Sequence, residues 1–440
     1  MFDSASIRFE TVAYDASIDL LSVLRLRRGA ELFYWEHPES GVTIAALGAV
    51  ARFEADGPGR FDEVSKSARR ALHALMQRSN HAAEGHGPMV VGGFGFSDRP
   101  CAAHEWREFP PLRMVLPELL WVRRGARCTL TRILSKDREP RCDIPPGGVT
   151  AAHRSYARSR RPPPYAERRG DDQRSQWCAR VERVRAQIIA GDLRKVVLSR
   201  RIKIETARPF DPALILETAR RSRSSCFNFW LSGAATSFVG STPERLVRID
   251  RGQVVSGALA GSAPRGATEA EDQRLGRQLL ASSKNREEHE LVVGAVRSAL
   301  AAVTAPISEA AEPFLVRLPE AQHLFTPIEG RLCGDRSVLE IAGLLHPTPA
   351  VCGAPCAEAR AIIEREEPGR GWYTGAVGWM DGRGDGEFAV ALRAGVIDAA
   401  KIFLWAGAGI VRGSDPNTEF DETSAKMTAL LGKRSDGSTA

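Results

Sequence analysis

The chain has 440 residues, 43% of them hydrophobic, 26% charged and 7% aromatic, with a formal net charge of +7. This composition can bury a sizeable core, which excludes bulk disorder, and the length suits one large domain or two to three ordinary ones. No apolar run approaches the ~20 residues of a membrane helix. Asp3, Glu10 and Asp15 stand where an export signal needs a basic start and an apolar run, so a cytoplasmic protein is expected.

Residues 1–153 read as strands, hairpins and a few helices. Ala30–Trp35 and Val42–Phe53 flank a turn at Pro38–Gly41, and Met89–Phe96 (MVVGGFGF) reads as a Gly-rich buried strand. No catalytic constellation is visible in this part. The segment 154–172 is different: Arg154, Arg158, Arg160, Arg161, Arg168 and Arg169 face only Glu167, and Pro162, Pro163 and Pro164 stand among them. Most of the net charge sits here, in a stretch without apolar periodicity, so it reads as an exposed linker or insertion. The remainder is near neutral with no basic stripe interleaved with aromatics, which argues against a nucleic-acid partner.

From 173 to 435 the patterns sharpen, before a short tail at 436–440. Trp177, Val181, Val184 and Ile188 follow a helical period, and Gly191 reads as the C′ residue that stops the helix. Arg194–Ile204 (RKVVLSRRIKI) reads as a strand with Lys195 at its start. Asp211 and Pro212 are N-cap and first residue of a second helix. Strands at Phe227–Leu231, Ser237–Val239, Arg245–Ile249 and Val254–Ser256 are joined by short Gly-bearing turns, which predicts antiparallel pairing. Helices follow near 268–282 and 286–303, then strands at Tyr373–Met380, Glu387–Arg393 and Lys401–Ala406. Hairpins mixed with helices, rather than strict alternation, predict an α+β fold of mostly antiparallel sheets with helices outside.

Several familiar chemistries fail on spacing. Gly407 and Gly409 in AGAGIV lack the third glycine of a dinucleotide loop, and neither a phosphate-binding GxxxxGK[ST] nor a GxSxG nucleophile elbow occurs. The eight cysteines include no C-x-x-C pair. Their scatter argues against a disulfide framework or a zinc site, and His346 does not complete one around the helically spaced Cys352 and Cys356.

Acidic residues carry more. Glu287, Glu288 and Glu290 crowd the start of a helix, where Asn285 and Glu288 have capping-box spacing. Glu419, Glu422 and Lys426 share one helical face, and Glu422 with Lys426 is equally an ordinary i,i+4 surface pair. Two helices offering carboxylates can instead form an all-oxygen magnesium site completed by substrate and water. In Phe388–Arg393 (FAVALR), strand alternation places Ala389, Ala391 and Arg393 on one face, leaving a hollow with a forked donor suited to a carboxylate.

Read together, the segments KVVLSR (Lys195–Arg200), STPERLVRI (Ser241–Ile249), LAGSAPRG (Leu259–Gly266), KNREEHELV (Lys284–Val292) and HLFTPIEG (His323–Gly330) carry a resemblance. LLHPTPAVCGAP (Leu344–Pro355), YTGAVGW (Tyr373–Trp379) and AGAGIVRGSDPNTEFDETSAK (Ala406–Lys426) complete it. Over about 175–435 the chain resembles the chorismate-utilising enzymes, the group of isochorismate, salicylate, anthranilate and aminodeoxychorismate synthases.

The resemblance implies a small cyclic dicarboxylate substrate, chorismate, bound with Mg²⁺. It implies Glu288 and Glu422 as metal carboxylates with Glu419 in their shell. Leu259, Ala260, Gly261, Ser262, His323, Ala350, Tyr373, Arg393, Gly407, Ala408, Gly409 and Lys426 are implied as the substrate pocket. Lys195 stands where water-using members resemble this chain, and it acts as base on water if its charge can be shed. Glu244 matches the acid that protonates the departing 4-hydroxyl, which requires a raised pKa. Ala260 excludes the Lys nucleophile of aminodeoxychorismate synthases. Ala350 favours stopping at isochorismate, whereas Tyr373 is shared with salicylate synthases, which go on to expel pyruvate. The implied activity is isochorismate synthase, the alternative salicylate synthase, and the remote alternative a non-catalytic chorismate-binding protein. The expected protein is a monomer with a small-molecule substrate, no nucleic-acid or membrane partner, and a downstream isochorismate-using enzyme as its one conceivable protein partner. The sequence does not choose among siderophore, menaquinone and salicylate supply.

Overall fold

A computed structural model of the chain describes residues 7–25, 31–77, 87–135, 174–191, 193–319, 321–428 and 430–431. The Arg/Pro-rich segment 154–172 and the tail 436–440 lie outside the described residues. The architecture is α+β. Strands form two sheets, of eleven and ten strands, in which every pairing among the described residues is antiparallel. In each sheet a block of strands from the first 135 residues is joined edge to edge to a block from the rest of the chain, Leu32–His37 pairing with Phe227–Ser232 in one and Met89–Phe94 with Ala376–Asp381 in the other.

The sheets face one another across an aromatic core. Trp35, Phe229, Phe238 and Trp405 come from the first sheet, and Val91, Val377 and Ala389 from the second, with Trp106 and Trp372 wedged between. Burial of this apolar surface, at roughly 25 cal/mol per Å², is the dominant stabilising term. Helices cover the outer faces. Arg60–Met76, Ser283–Ala301 and Val338–Leu345 pack on the second sheet; Leu20–Arg25 and Pro212–Ser222 pack on the first. The amphipathic helix Arg174–Ala190 buries Trp177, Val181, Val184 and Ile188, the four residues its period singles out.

The structure revises the reading in several places. Val42–Phe53 is two strands, Val42–Leu47 and Ala51–Ala55, which belong to different sheets; Gly48, at φ +71°, makes the break. Gly191 follows its helix without taking a left-handed φ, so it is not a C′ residue of the expected kind. Asp211 caps as expected, accepting from the Ala213 amide at 3.2 Å. The final strands shift too: Tyr373 lies in the loop before Ala376–Asp381, the next strand stops at Val390, and Lys401–Ile410 runs four residues further than its hydrophobic pattern suggested.

Candidate active site

Three elements converge on a cavity of about 310 Å³ at one end of the sheets. The first is the antiparallel pair Lys195–Glu205 and Lys401–Ile410. Lys195 opens its strand, as expected, and its side chain is only 2% exposed. Its Nζ donates to Glu288 Oε1 at 2.8 Å. Gly409 on the paired strand makes room for this contact, since a Cβ there would lie 2.8 Å from Lys195 Cε and 3.3 Å from Glu288 Oε1. Gly407 also faces the cavity, and its carbonyl accepts from Lys426 Nζ at 3.0 Å. Ala408 must be corrected: alternation turns its side chain the other way, into the core with Trp177 and Leu198.

The second element is the helix Ser283–Ala301. Its N-cap is Ser282, whose side chain accepts from the Asn285 amide, so Asn285 and Glu288 do not form the expected capping box. Glu288 sits in the second helical turn and points at Lys195. Burial raises its carboxyl, but the Lys195, Lys426 and Lys284 ammonium groups more than compensate and hold it below the usual carboxylate range. His289, which sequence reading missed, anchors this turn. It is buried, with Nδ1 3.1 Å from the Ala260 carbonyl and Nε2 2.8 Å from Thr326 Oγ1.

The third element is the helix Pro416–Thr428, whose Asp415 side chain accepts from the Thr418 amide at 2.8 Å. Glu419, Glu422 and Lys426 all line the cavity, and Glu422 and Lys426 also form the i,i+4 pair, at 2.5 Å. The Glu419 carboxyl is pushed up to about 7, first by burial and then by the neighbouring Glu422 charge. Arg200 ties this helix to the Lys195 strand: its guanidinium lies 3.9 Å from the Phe420 ring centroid, and Nε donates to Thr423 Oγ1 at 2.7 Å.

Glu244 and Arg393 enter where the chain passes between sheets. Glu244 follows Thr236–Thr242 of the first sheet and precedes Arg245–Asp250 of the second. Burial pushes its carboxyl up to about 7, against the opposing pull of Arg393 and Lys195. Arg393 lies between Gly386–Val390 of the second sheet and Ala394–Asp398 of the first, at φ +46°. The expected alanine-lined hollow is therefore absent: Ala389 and Ala391 are packed in the aromatic core, and a left-handed residue, not strand alternation, aims Arg393 at the cavity. Its buried Nε has no partner among the described residues.

Leu259, Ala260, Gly261 and Ser262 form one wall. Gly261, at φ +77°, is the extra residue of a bulge opposite His323 and Leu324, and it brings Ser262 Oγ to 2.8 Å from His323 Nδ1. Burial, Arg393 and Lys426 hold the imidazole down to about 3, so it is neutral, and its buried Nε2 has no partner among the described residues. Two unpaired polar groups, the Arg393 Nε–H and the His323 Nε2, are costly in one cavity unless a ligand satisfies them. Ala350 and Val351 form the opposite wall, and the Tyr373 ring stacks on Trp405 with centroids 6.3 Å apart.

Among the described residues no three potential ligands stand closely enough to hold a metal by themselves. Glu288, Glu419 and Glu422 nevertheless give the cavity an all-carboxylate donor set from two helices, with Glu419 raised by burial and by the neighbouring Glu422 charge. Those residues fit Mg²⁺, a hard ion that keeps several waters and takes one or two carboxylates plus substrate oxygens.

The sequence profile of the Chorismate binding enzyme family matches residues 4–433. The chain belongs to this family. It is 35% identical over 438 residues to the "Salicylate biosynthesis isochorismate synthase" of Pseudomonas aeruginosa, covering 95% of this chain and 89% of the relative. To the "Isochorismate synthase MenF" of Bacillus subtilis it is 31% identical over 419 residues, 91% of this chain and 87% of the relative. The solved structure of MenF, the menaquinone-specific isochorismate synthase from Escherichia coli, superposes with a TM-score of 0.79 at 29% identity, covering 97% of this chain and 95% of that one. The family's fold is the two-sheet α+β architecture described above.

Proposed function

We infer that this family member is an isochorismate synthase, converting chorismate to isochorismate. The relatives of that activity span nearly its whole length. Water adds at ring C2 as the C4 hydroxyl departs, so the reaction is an isomerisation with no net gain or loss of water. Lys195, once it has shed its own proton, accepts the proton of the attacking water, and Glu244 delivers a proton to the leaving hydroxyl. The observation that carries this reading is the pairing of chemistries in one cavity: a buried lysine, and a buried carboxyl that keeps its proton to about pH 7. An ordinary exposed glutamate would have lost that proton near pH 4.3.

Arg393 has a donor and the neutral His323 a ring nitrogen to spare, and they hold the substrate's polar groups in register. Leu259–Ser262 and the Gly407 and Gly409 backbone shape the pocket around the ring, with Lys426 beside them. Glu288, Glu422 and Glu419 hold Mg²⁺, which when bound neutralises the substrate's carboxylate charge. Glu288 thus has two duties, since it also contacts Lys195. Ala350 leaves the wall near the ring small and apolar, in favour of stopping at isochorismate.

Purified protein supplied with chorismate and Mg²⁺ is expected to form isochorismate, separated by chromatography, without stoichiometric pyruvate. Salicylate with equimolar pyruvate would transfer the assignment to the salicylate synthase alternative and give Tyr373 the deciding role. No turnover would overturn both.

A further inference from the structure

Behind the Ala350–Val351 wall lie two thiols that the reaction does not use. Cys352 is fully buried, and Cys356 is partly exposed as the first residue of the helix Cys356–Glu366. The sulfurs lie 3.7 Å apart, with Cys356 Sγ directed at Cys352 Sγ. Sequence spacing suggested a shared helical face, but Cys352 precedes the helix, and the turn through Gly353, Ala354 and Pro355 folds its side chain back onto Cys356. Gly353, at φ +138°, permits that turn, because a Cβ there would lie 2.2 Å from the Lys195 carbonyl.

The two thiols have different characters. Cys356 is brought down to about 7 chiefly by the Cys352 thiol beside it, with Arg360 one turn on adding to the effect, while Cys352 is held well above the usual range. Reactive cysteines share this setting of partial exposure, a helix N-terminus and a nearby cation. The segment carrying Cys352 is also bonded to the strand of the proposed base. Val197 N donates to the Cys352 carbonyl and Arg194 N to the Ala354 carbonyl, each at 2.8 Å, and Ala354 pairs with Lys195.

We propose that Cys352 and Cys356 are a peroxide-oxidisable dithiol whose disulfide slows turnover by displacing the Ala350–Val351 wall. The oxidant is a hydroperoxide. The Cys356 thiolate attacks its terminal oxygen, breaking the O–O bond and releasing hydroxide or alkoxide, and becomes a sulfenic acid. The Cys352 sulfur then attacks the sulfenic sulfur; an S–S bond forms, the S–O bond breaks, and the oxygen leaves as water with the Cys352 proton. Each sulfur has given one electron and the peroxide has taken two. Bond formation draws the sulfurs together by about 1.7 Å. The Cys352 amide donates to the Thr348 carbonyl at 3.0 Å and its carbonyl accepts from the Val197 amide at 2.8 Å, so a shift of its backbone is passed to Ala350 and Val351, which lie within that turn and line the cavity.

Tryptic cleavage at Arg336 and Arg360 releases residues 337–360, a peptide whose only cysteines are Cys352 and Cys356. After graded hydrogen peroxide and alkylation, mass spectrometry of the full-length protein's digest is expected to show this peptide unalkylated and two hydrogens lighter. Turnover of chorismate should fall several-fold in parallel, and a dithiol reductant should restore both. Cys356→Ser should keep the reduced enzyme's turnover and melting temperature and escape the loss; Cys356→Ala repeats the test if the serine variant is poorly folded. A peptide that stays dithiol, or passes to a sulfinic acid without closing, overturns the proposal. A closed disulfide with unchanged turnover overturns its coupling to the cavity. The activity arm rests on the isochorismate synthase reading, whereas the peptide mass does not, so failure of either is seen separately.

Discussion

Glu244 and Arg393 occupy the two adjacent crossings by which the chain passes between its sheets, and the crossings are bonded to each other. The Val390 amide donates to the Glu244 carbonyl at 2.9 Å, and the Ser241 amide to the Arg393 carbonyl at 3.3 Å. A carboxyl and a guanidinium almost 150 residues apart in sequence are thereby fixed by backbone in one desolvated place. The arginine's charge works against the proton on Glu244, yet burial prevails, and the carboxyl stays at about 7.

That balance predicts a pH dependence. The proposed acid must carry its proton, so kcat should fall as pH rises through about 7. The same shift bears on stability. The folded pKa lies above the unfolded value near 4.5, so the unfolded chain ionises first; the penalty is absent below about 4, grows to pH 7, and is complete above it. Glu244→Gln should therefore raise the melting temperature at pH 8, by up to about 3 kcal/mol of stability, and leave it nearly unchanged at pH 4. It should also lower kcat by on the order of 10²–10⁴-fold. A variant with full activity would remove Glu244 from the mechanism.

Lys195→Gln removes the proposed base and keeps a polar group of similar length. Isochorismate formation should fall by on the order of 10²–10⁴-fold, while chorismate affinity by calorimetry changes little. Retained isochorismate formation would show that another group activates the water.

Gly409→Ala adds one methyl, 2.8 Å from Lys195 Cε. The lysine must move, and its contact with Glu288 with it. A displacement of that size near reacting atoms costs on the order of 10²-fold in kcat, with a stability change of about 1–3 kcal/mol or less. Unaltered kcat would mean that the Lys195–Glu288 contact has no bearing on turnover.

Glu419, raised by burial and by the Glu422 charge, should be relieved by a cation held between the two helices. Mg²⁺ without substrate is expected to raise the melting temperature; at a hundredfold excess over Kd the gain is about 2.7 kcal/mol. Glu288→Gln and Glu422→Gln should each abolish most of that gain, and a chelator should reverse it in the parent protein. Equal shifts in parent and variants would place the ion elsewhere.

Period and punctuation in the sequence determined much of this protein. The helix with Trp177, Val181, Val184 and Ile188 buried, the Asp211 cap, the strand opening at Lys195 and the shared face of Glu419, Glu422 and Lys426 are all local consequences of side-chain spacing. The resemblance placed Lys195, Glu244 and Glu288 in one site, but the contact between Lys195 and Glu288, 93 positions apart, came only with the tertiary structure. Other features belong to the tertiary structure alone. Strand alternation is broken at Arg393 by a left-handed backbone that only packing between two sheets enforces. Glu288 is not a cap because Ser282 begins the helix sooner. Ala408 turns away from the cavity flanked by two glycines that face it. His289 gave no sequence signal, since a buried histidine earns its role only from the carbonyl and hydroxyl that folding brings to its two nitrogens. The raised carboxyl of Glu244 has the same origin: charge solvation is lost only when distant strands close over it.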